Sequence, residues 1–462
     1  MTGLRYVLID LKNNYVFKGL IKALQHRPDV RLDVGMELDE CPSEGNMLAL
    51  LQNNLNLYSI CVVYRGNDAR DFSKLMKLLK IVLLTCPQLR HLEFRNRISN
   101  FPDHQYYGFG FANNERPPAL HSLELFGYPF GNDGSNPNIV TTIGYQGQEE
   151  HYWANNFDWS QMRRLNTQHI GMILQCLHKF TSLKEIVLEA YNYKDTDTKK
   201  LFQLVPSILE SITVPSMDAI GIEGILRHRR KLRILHVWLK PKYSWEPSQL
   251  ISSMDATTIR RIRDSCPYIE ELALSLNRGT MWSNDTLNIL ASFPKLHTLT
   301  LDFQPCLLRY DIYDRSFTGI SVRDDAVQES PTVYLTMSTV QQLFKHLLQT
   351  SPTARPSALR KLHVKYRLPP ILDPGEDGMN SDWFYDNDVS FECKLSERDV
   401  DKHRGIFSIT CQDLVEKENA ILQDALNMHK DPAQILLGSE DQIKAVNCKF
   451  KVAWYGPLPL RD

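Results

Sequence analysis

The residue types that carry chemistry are all present in this chain, but not in the spacings that chemistry requires. Its nine cysteines (Cys41, Cys61, Cys86, Cys176, Cys266, Cys306, Cys393, Cys411 and Cys448) are odd in number and dispersed, with no Cys-x-x-Cys pair. A zinc cage needs clustered thiolates and a disulfide scaffold needs an even framework, so neither is expected, and a reducing compartment fits best. Asp382, Asp386 and Asp388 lack the glycine and terminal glutamate of a calcium loop and read as a solvated loop. There is no Gly-x-x-x-x-Gly-Lys-Ser/Thr loop, no His-Glu-x-x-His, no Gly-x-Ser-x-Gly and no dinucleotide fingerprint. No catalytic residue, cofactor or metal is therefore expected. The basic run Arg227-His228-Arg229-Arg230-Lys231 suits either phosphate contact or a helix C-terminus, where the helix dipole favours cations. A net charge of −1 gives no long-range pull towards nucleic acid or an acidic membrane, so neither is an expected partner.

What must position any functional side chain is a recurring phrase, Leu-x-x-(Leu/Ile/Val)-x-(apolar). It reads Leu4-Val7-Ile9, Leu57-Ile60-Val62, Leu89-Leu92-Phe94, Leu120-Leu123-Leu125, Leu183-Ile186-Leu188, Leu209-Ile212-Val214, Leu232-Leu235-Val237, Ile269-Leu272-Leu274, Leu296-Leu299-Leu301 and Leu359-Leu362-Val364. Alternation of apolar and polar residues within each copy predicts a short strand with one buried side. Residues 29–38 (Val30, Leu32, Val34, Met36) and the segment Trp159, Met162, Leu165 supply two degenerate copies, which makes about twelve units. Helical stripes separate them: Phe17, Leu20, Ile21, Leu24; Phe72, Leu75, Leu78, Leu79, Val82; Ile170, Ile173, Leu174, Leu177; and Leu201, Leu204, Ile208. Asp285 and Thr286 stand where a helix N-cap is expected ahead of Leu287, and Ser338 precedes Val340, Leu343, Phe344 and Leu347. Such a pattern is the signature of a leucine-rich-repeat solenoid, an α/β horseshoe with parallel concave strands and convex helices. At 462 residues the chain is too long for one ordinary core, a limit that a stack of repeats does not meet.

The array is expected to span residues 1–367, with insertions at 97–116, 127–158 and 305–335. A turn-rich exit around Pro369, Pro370, Pro374, Gly375 and Gly378 leads to a small α+β cap over 368–462. In the cap, strand-like pieces at Phe391–Leu395 and Ile406–Thr410 precede a helix expected from about Cys411 to Met428. The first two insertions carry Tyr106, Tyr107, Phe109, Phe111, Tyr128, Phe130, Tyr145, Tyr152, Trp153 and Phe157. Gly, Asn and Pro between these rings argue for loop, which either folds back as a local core or forms a lip that meets a partner. Asp10 interrupts the first apolar run too early for a signal peptide, and Leu75–Leu84 is too short and too charged to span a bilayer. An intracellular chain, cytoplasmic or nuclear and outside the membrane, is expected.

Outward positions of the strands define a face that can be read directly. They are His91, Glu93 and Arg95, then Glu124 and Phe126, then Glu185 and Glu189, with His236 and Trp238 further on. Together with Tyr106, Tyr107 and Trp153 these are the candidate partner-binding residues, because a polar surface punctuated by large aromatics and arginine suits protein recognition. The alternative is an ordinary solvated sheet face.

Cys86-Pro87-x-Leu89 and Cys266-Pro267-x-Ile269 open their repeats as cysteine-containing leucine-rich repeats do, and Phe293-Pro294-Lys295-Leu296 is a weaker echo. Phe157-Asp-Trp-Ser-Gln-Met-Arg-Arg-Leu165 and Trp454-Tyr-Gly-Pro-Leu-Pro-Leu460 add to this. On these motifs the chain resembles the F-box/leucine-rich-repeat proteins of filamentous fungi. The resemblance implies the substrate-receptor part of a cullin-type ubiquitin ligase. A repeat strand begins at Leu4 and no later segment reads as an F-box, so this chain alone is not expected to bind the Skp-type adaptor. A protein-binding scaffold without catalysis is the expected function. The alternatives are a sensor fragment of a larger receptor and an enzyme whose residues converge from distant repeats.

Overall fold

A strand lies at each of the twelve phrases in the computed structural model, and two further strands follow. The structure describes residues 4–11, 15–24, 26–38, 47–66, 69–96, 108–112, 114–128, 149–167, 169–188, 195–237, 254–278, 283–305, 337–350, 358–367, 388–395 and 409–413. The chain divides into two units, residues 1–214 with 219–228, and residues 215–218 with 229–462.

The first unit runs β1 (Tyr6–Leu11), α1 (Tyr15–Leu24), β2 (Arg31–Leu38), α2 (Met47–Leu51), β3 (Leu57–Tyr64), α3 (Ala69–Thr85), β4 (His91–Asn96), β5 (Ser122–Phe126), α4 (Glu149–Asn156), β6 (Arg164–Thr167), α5 (Ile170–Cys176), β7 (Glu185–Val187), α6 (Asp195–Leu204), β8 (Ser211–Val214) and most of α7 (Met217–Arg227). Neighbouring strands pair parallel and in chain order from β1 to β8. Parallel neighbours need a crossover connection, which is why helices recur between them. Burial alternates strictly along β4, with Leu92, Phe94 and Asn96 buried and His91, Glu93 and Arg95 partly exposed. Phe72 of α3 meets inward Tyr64 at 5.5 Å and inward Phe94 at 6.0 Å, so helix and strands share one core. Stripe and phrase are two halves of one packing rule.

Turns are held by side chains that sequence periodicity does not flag. Asn54 Oδ1 accepts from the backbone N–H groups of Asn56 (2.8 Å) and Leu57 (2.9 Å), while Asn56 Nδ2 donates to the carbonyls of Arg27 and Val30. Cys86, the residue that opens its repeat, is buried and donates its thiol to the carbonyl of Leu51 at 3.0 Å. Within the basic run, His228 is buried and its Nδ1 accepts from the N–H of Leu209, and Arg227 donates to the carbonyl of Val205. The run does fall at the C-terminus of α7, which ends at Arg227, but these two side chains tie that end to the segment around Val205 and Leu209.

The second unit runs β9 (Ile234–Val237), α8 (Ala256–Ser265), β10 (Glu271–Arg278), α9 (Asn284–Ala291), β11 (Thr298–Pro305), α10 (Met337–Gln349), β12 (Lys361–Arg367), β13 (Asp388–Leu395) and β14 (Ile409–Asp413). Strands β9 to β12 are parallel in chain order, whereas β12–β13 and β13–β14 are antiparallel. The fold is thus α/β with mostly parallel pairing.

Several expectations need correction. The N-cap of α9 is Ser283, whose Oγ accepts from the N–H of Thr286; Asp285 and Thr286 fall in the first turn. Helix α10 starts at Met337, so Ser338 lies inside it. Leu204 and Ile208 are exposed rather than part of the α6 stripe. Cys411 belongs to β14 and not to a helix, and residues 414–428 lie outside the described residues. Among the described residues no helix is long and apolar enough to cross a membrane.

Candidate functional site

In the first unit the pairing register stacks outward side chains into rows that cross the strands. One row runs Gly35, Cys61, Glu93, Glu124, Asn166, Val187 and Thr213. A second runs Asp33, Ser59, His91, Ser122, Arg164, Glu185 and Ser211. A third joins Glu37, Val63, Arg95 and Phe126. Side chains separated by tens of residues in sequence become neighbours about 5 Å apart.

Those neighbours neutralise one another. Arg95 Nε meets Glu93 Oε1 at 2.7 Å, and the same guanidinium pairs with Glu124 on the next strand. Arg164 pairs with Glu185 at 3.5 Å, Arg65 pairs with Glu37, and Tyr6 donates to Asp33 at 3.0 Å. Glu124 is buried, which Arg95 makes tolerable, because a buried carboxylate without a cation would pay its full desolvation cost. Burial, reinforced by Glu93, pushes the Cys61 thiol up to about 12, so it is an inert neighbour and not a nucleophile. His91 packs on Tyr58 at 5.0 Å and on His121 at 6.3 Å, and burial lowers its pKa.

Of the two readings of the aromatic insertions, the described rings follow the local core and not the lip. Phe109, Phe111, Tyr128, Tyr152, Trp153 and Phe157 are buried together, with Trp153 within about 6 Å of Phe109, Phe111, Phe157 and Trp159. Tyr152 and Trp153 sit on α4, a helix where the spacing predicts loop. At its first residue, Glu149 is buried, and its Oε1 accepts from Tyr128, from the N–H of Phe109 (3.1 Å) and from Trp153 Nε1 (3.3 Å). Burial raises its pKa to about 7 against the opposing pull of those donors. A Cβ at Gly108 would collide with Glu149 Oε2 and Tyr128, so only glycine lets the segment close over the carboxyl. Trp153 is fully buried, which removes it from the candidate surface.

In the second unit Glu271 and Thr298 are half-exposed, while the next outward positions of β10 and β11 are buried. Ala273, Ser275, Thr300 and Asp302 are all buried. On β12 and β13 a polar cluster remains: His363 Nε2 lies 2.7 Å from Ser390 Oγ, and Glu392 pairs with Lys361 and Lys394. Burial, with Lys365 and Lys361 nearby, holds the His363 pKa down to about 4. His236, half-buried on β9, meets Glu271 at 2.9 Å. Cys393 and Cys411, directly opposite on β13 and β14, form a disulfide with their Cα atoms 4.1 Å apart. That pair departs from the expectation of no disulfide, since cysteine spacing does not reveal strand register.

Of the residues the sequence singles out, His91, Glu93, Arg95, Glu124, Phe126 and Glu185 are brought onto one face of the first unit, and His236 onto the second. Tyr106, Tyr107, Glu189 and Trp238 lie outside the described residues. Asp33, Arg164, Cys61, Ser390 and Glu392 join the faces only through register. A cross-strand charge pattern, Glu93 beside Arg95 one repeat from Glu124, was the available signal for the first cluster. Among the described residues no group of three or more His, Cys, Asp or Glu could hold a metal ion. The sequence matches no protein-family model, and no curated protein is significantly similar to it.

Proposed function

We propose that the chain is a leucine-rich-repeat scaffold that binds a protein partner on the outward face of its first unit. The observation behind this reading is the set of in-register rows on β2–β8, in which Arg95 pairs with half-exposed Glu93 on its own strand and with buried Glu124 on the next, and Arg164 pairs across strands with Glu185. Groups already fixed in place lose little conformational entropy on binding, and complementary charges give specificity more than raw affinity. The resemblance to F-box-type receptors supplies the finer reading, in which the partner is a protein destined for ubiquitylation.

The test is affinity purification of the tagged chain beside two variants, Glu93→Lys/Glu185→Lys on the face and Lys74→Glu/Lys77→Glu on α3. Partners lost from the first and kept by the second support the face; an identical set from both overturns it. A partner recovered without a Skp-type adaptor or a cullin agrees with the expectation that this chain alone does not hold the adaptor, and recovery of both overturns it. The ubiquitin reading itself is supported if a recovered partner is ubiquitylated in cells and is removed if none is.

A second reading rests on the Ser390–His363 contact. A histidine nitrogen 2.7 Å from a serine hydroxyl is the pairing of an acyl-transfer nucleophile and its base, and the burial that holds the pKa of this histidine down to about 4 weakens it as that base. Labelling of the full chain by a fluorophosphonate, abolished in Ser390→Ala, supports it; an unlabelled native chain excludes it.

A further inference from the structure

Immediately before each strand from β4 to β8 stands one residue whose backbone N–H joins the preceding repeat of the pattern. The N–H of Arg90 donates to Tyr58, that of His121 to Arg90, that of Arg163 to His121, that of Lys184 to Arg163 and that of Glu210 to Lys184, at 2.7–2.9 Å. The row Arg90, His121, Arg163, Lys184 is therefore continuous, with three cations and one histidine, and Arg31 extends it by lying over the Tyr58 ring at 4.4 Å. In sequence these residues are scattered through 154 positions among as many acidic as basic residues, so no charge run announces them. Arg31, Arg163 and Lys184 are exposed, and Arg90 and His121 are half-buried. His121 itself reports the local field: after burial, Arg163, Arg90 and Arg31 are what lower its pKa.

We infer that this edge of the first unit binds an acidic polypeptide segment. The inference rests on the scaffold reading and adds the chemistry of the partner. Strands are spaced about 4.8 Å apart, so Arg90 to Lys184 covers roughly 14 Å, the reach of about four or five extended residues. An Asp/Glu-rich stretch of that length places a carboxylate against each cation, and arginine accepts carboxylates in bidentate fashion. A single-stranded nucleic acid fits less well, because it needs aromatic platforms for its bases. Tyr58, the ring in the row, is already covered by Arg31 and His91. The carboxylate of Glu210, 3.0 Å from Lys184, marks the end of the cationic row.

Fluorescence anisotropy of a labelled decapeptide rich in Asp and Glu, titrated with the full chain at low salt, tests this. Arg163→Glu/Lys184→Glu is expected to weaken binding at least about tenfold, while Lys74→Glu/Lys77→Glu, with the same change in net charge, leaves it unchanged. Binding is also expected to fall as salt is raised. No binding to the native chain, or equal loss in both variants, overturns the inference. A single-stranded oligonucleotide of matched charge that binds more tightly than the peptide overturns it in favour of nucleic acid. Cellular partners that depend on Glu93 and Glu185 but not on Arg163 and Lys184 overturn it while leaving the scaffold reading standing. Partners that ignore both sites remove both.

Discussion

On β4 of the first unit, Arg95 and Glu93 keep about a third of their side-chain surface (33% and 35%), and Arg95 ties β4 to buried Glu124 of β5. On β10 and β11 of the second unit, the same alternate positions hold Ala273, Ser275, Thr300 and Asp302, and all four are buried. The strands share geometry, period and inward leucines. What differs is exposure from strand to strand: β4 keeps Glu93 and Arg95 half-exposed, whereas Glu124, Asn166 and Val187 further along the first unit are buried like Ala273 and Thr300 of the second. An outward position in a repeat is a statement about side-chain direction, not about solvent.

The sharpest way to break that comparison is a matched pair of charges. Ala273→Glu is expected to cost about 3 kcal/mol or more, because the carboxylate enters a covered site with no cation designed for it. Val63→Glu, at an outward half-exposed position of β3, is expected to cost under about 1 kcal/mol. Urea unfolding midpoints of the two variants decide it, and equal losses would erase the distinction between the faces.

A smaller effect is expected from Arg95→Met, about 2 kcal/mol, since it strands buried Glu124 without its cation. Adding Glu124→Gln is expected to restore most of the loss, which a double-mutant cycle measures; a purely additive pair would show that the ion pair does not hold this face.

Acid and base should act on the two units in opposite senses at two chosen residues. The His363 pKa lies below the ordinary histidine value of about 6.5, so its stabilisation is present above that value and is lost as pH falls towards about 4. The Glu149 pKa is raised to about 7, so its contribution is full below the ordinary carboxylate value and is lost as pH rises through about 7. Hydrogen exchange of β12 is therefore expected to quicken on acidification in the native chain more than in His363→Gln. Exchange of α4 should quicken between about pH 5 and pH 7.5 in the native chain, and Glu149→Gln should flatten that change. His169 and His228, also lowered to about 4 by burial, titrate in the His363 sense, so only the difference from Glu149→Gln isolates the glutamate.

The smallest effects are expected where the units agree. Lys184–Glu210 in the first (3.0 Å) and Arg233–Glu270 in the second (2.6 Å) are exposed pairs at corresponding places before a strand. Replacing Glu210 or Glu270 with Gln should cost under about 0.5 kcal/mol and vanish in high salt, as thermal melts at two ionic strengths would show.

The strands were legible because each is a local period of two with leucine at the buried positions, a signal that needs no partner to be recognised. The longer helices were legible for the same reason. Helix α4 was not: Glu149-Glu-His-Tyr-Trp-Ala-Asn-Asn156 has no apolar stripe, and its burial comes from rings on other segments, such as Phe109 and Tyr128. The Cys393–Cys411 pair is not legible in the sequence, because eighteen residues separate the two and only the antiparallel register sets them opposite.

By itself, then, the amino-acid sequence determined where the twelve strands recur and which leucines they bury, since both follow from nearest neighbours along the chain. Only the tertiary structure decided that Arg95 would reach Glu124, that Arg90, His121, Arg163 and Lys184 would stand in one row, that Trp153 would be core and that Asp302 would be buried. Those outcomes depend on register between strands and on what covers a face. Register is a property of pairs of segments, and no single repeat contains it.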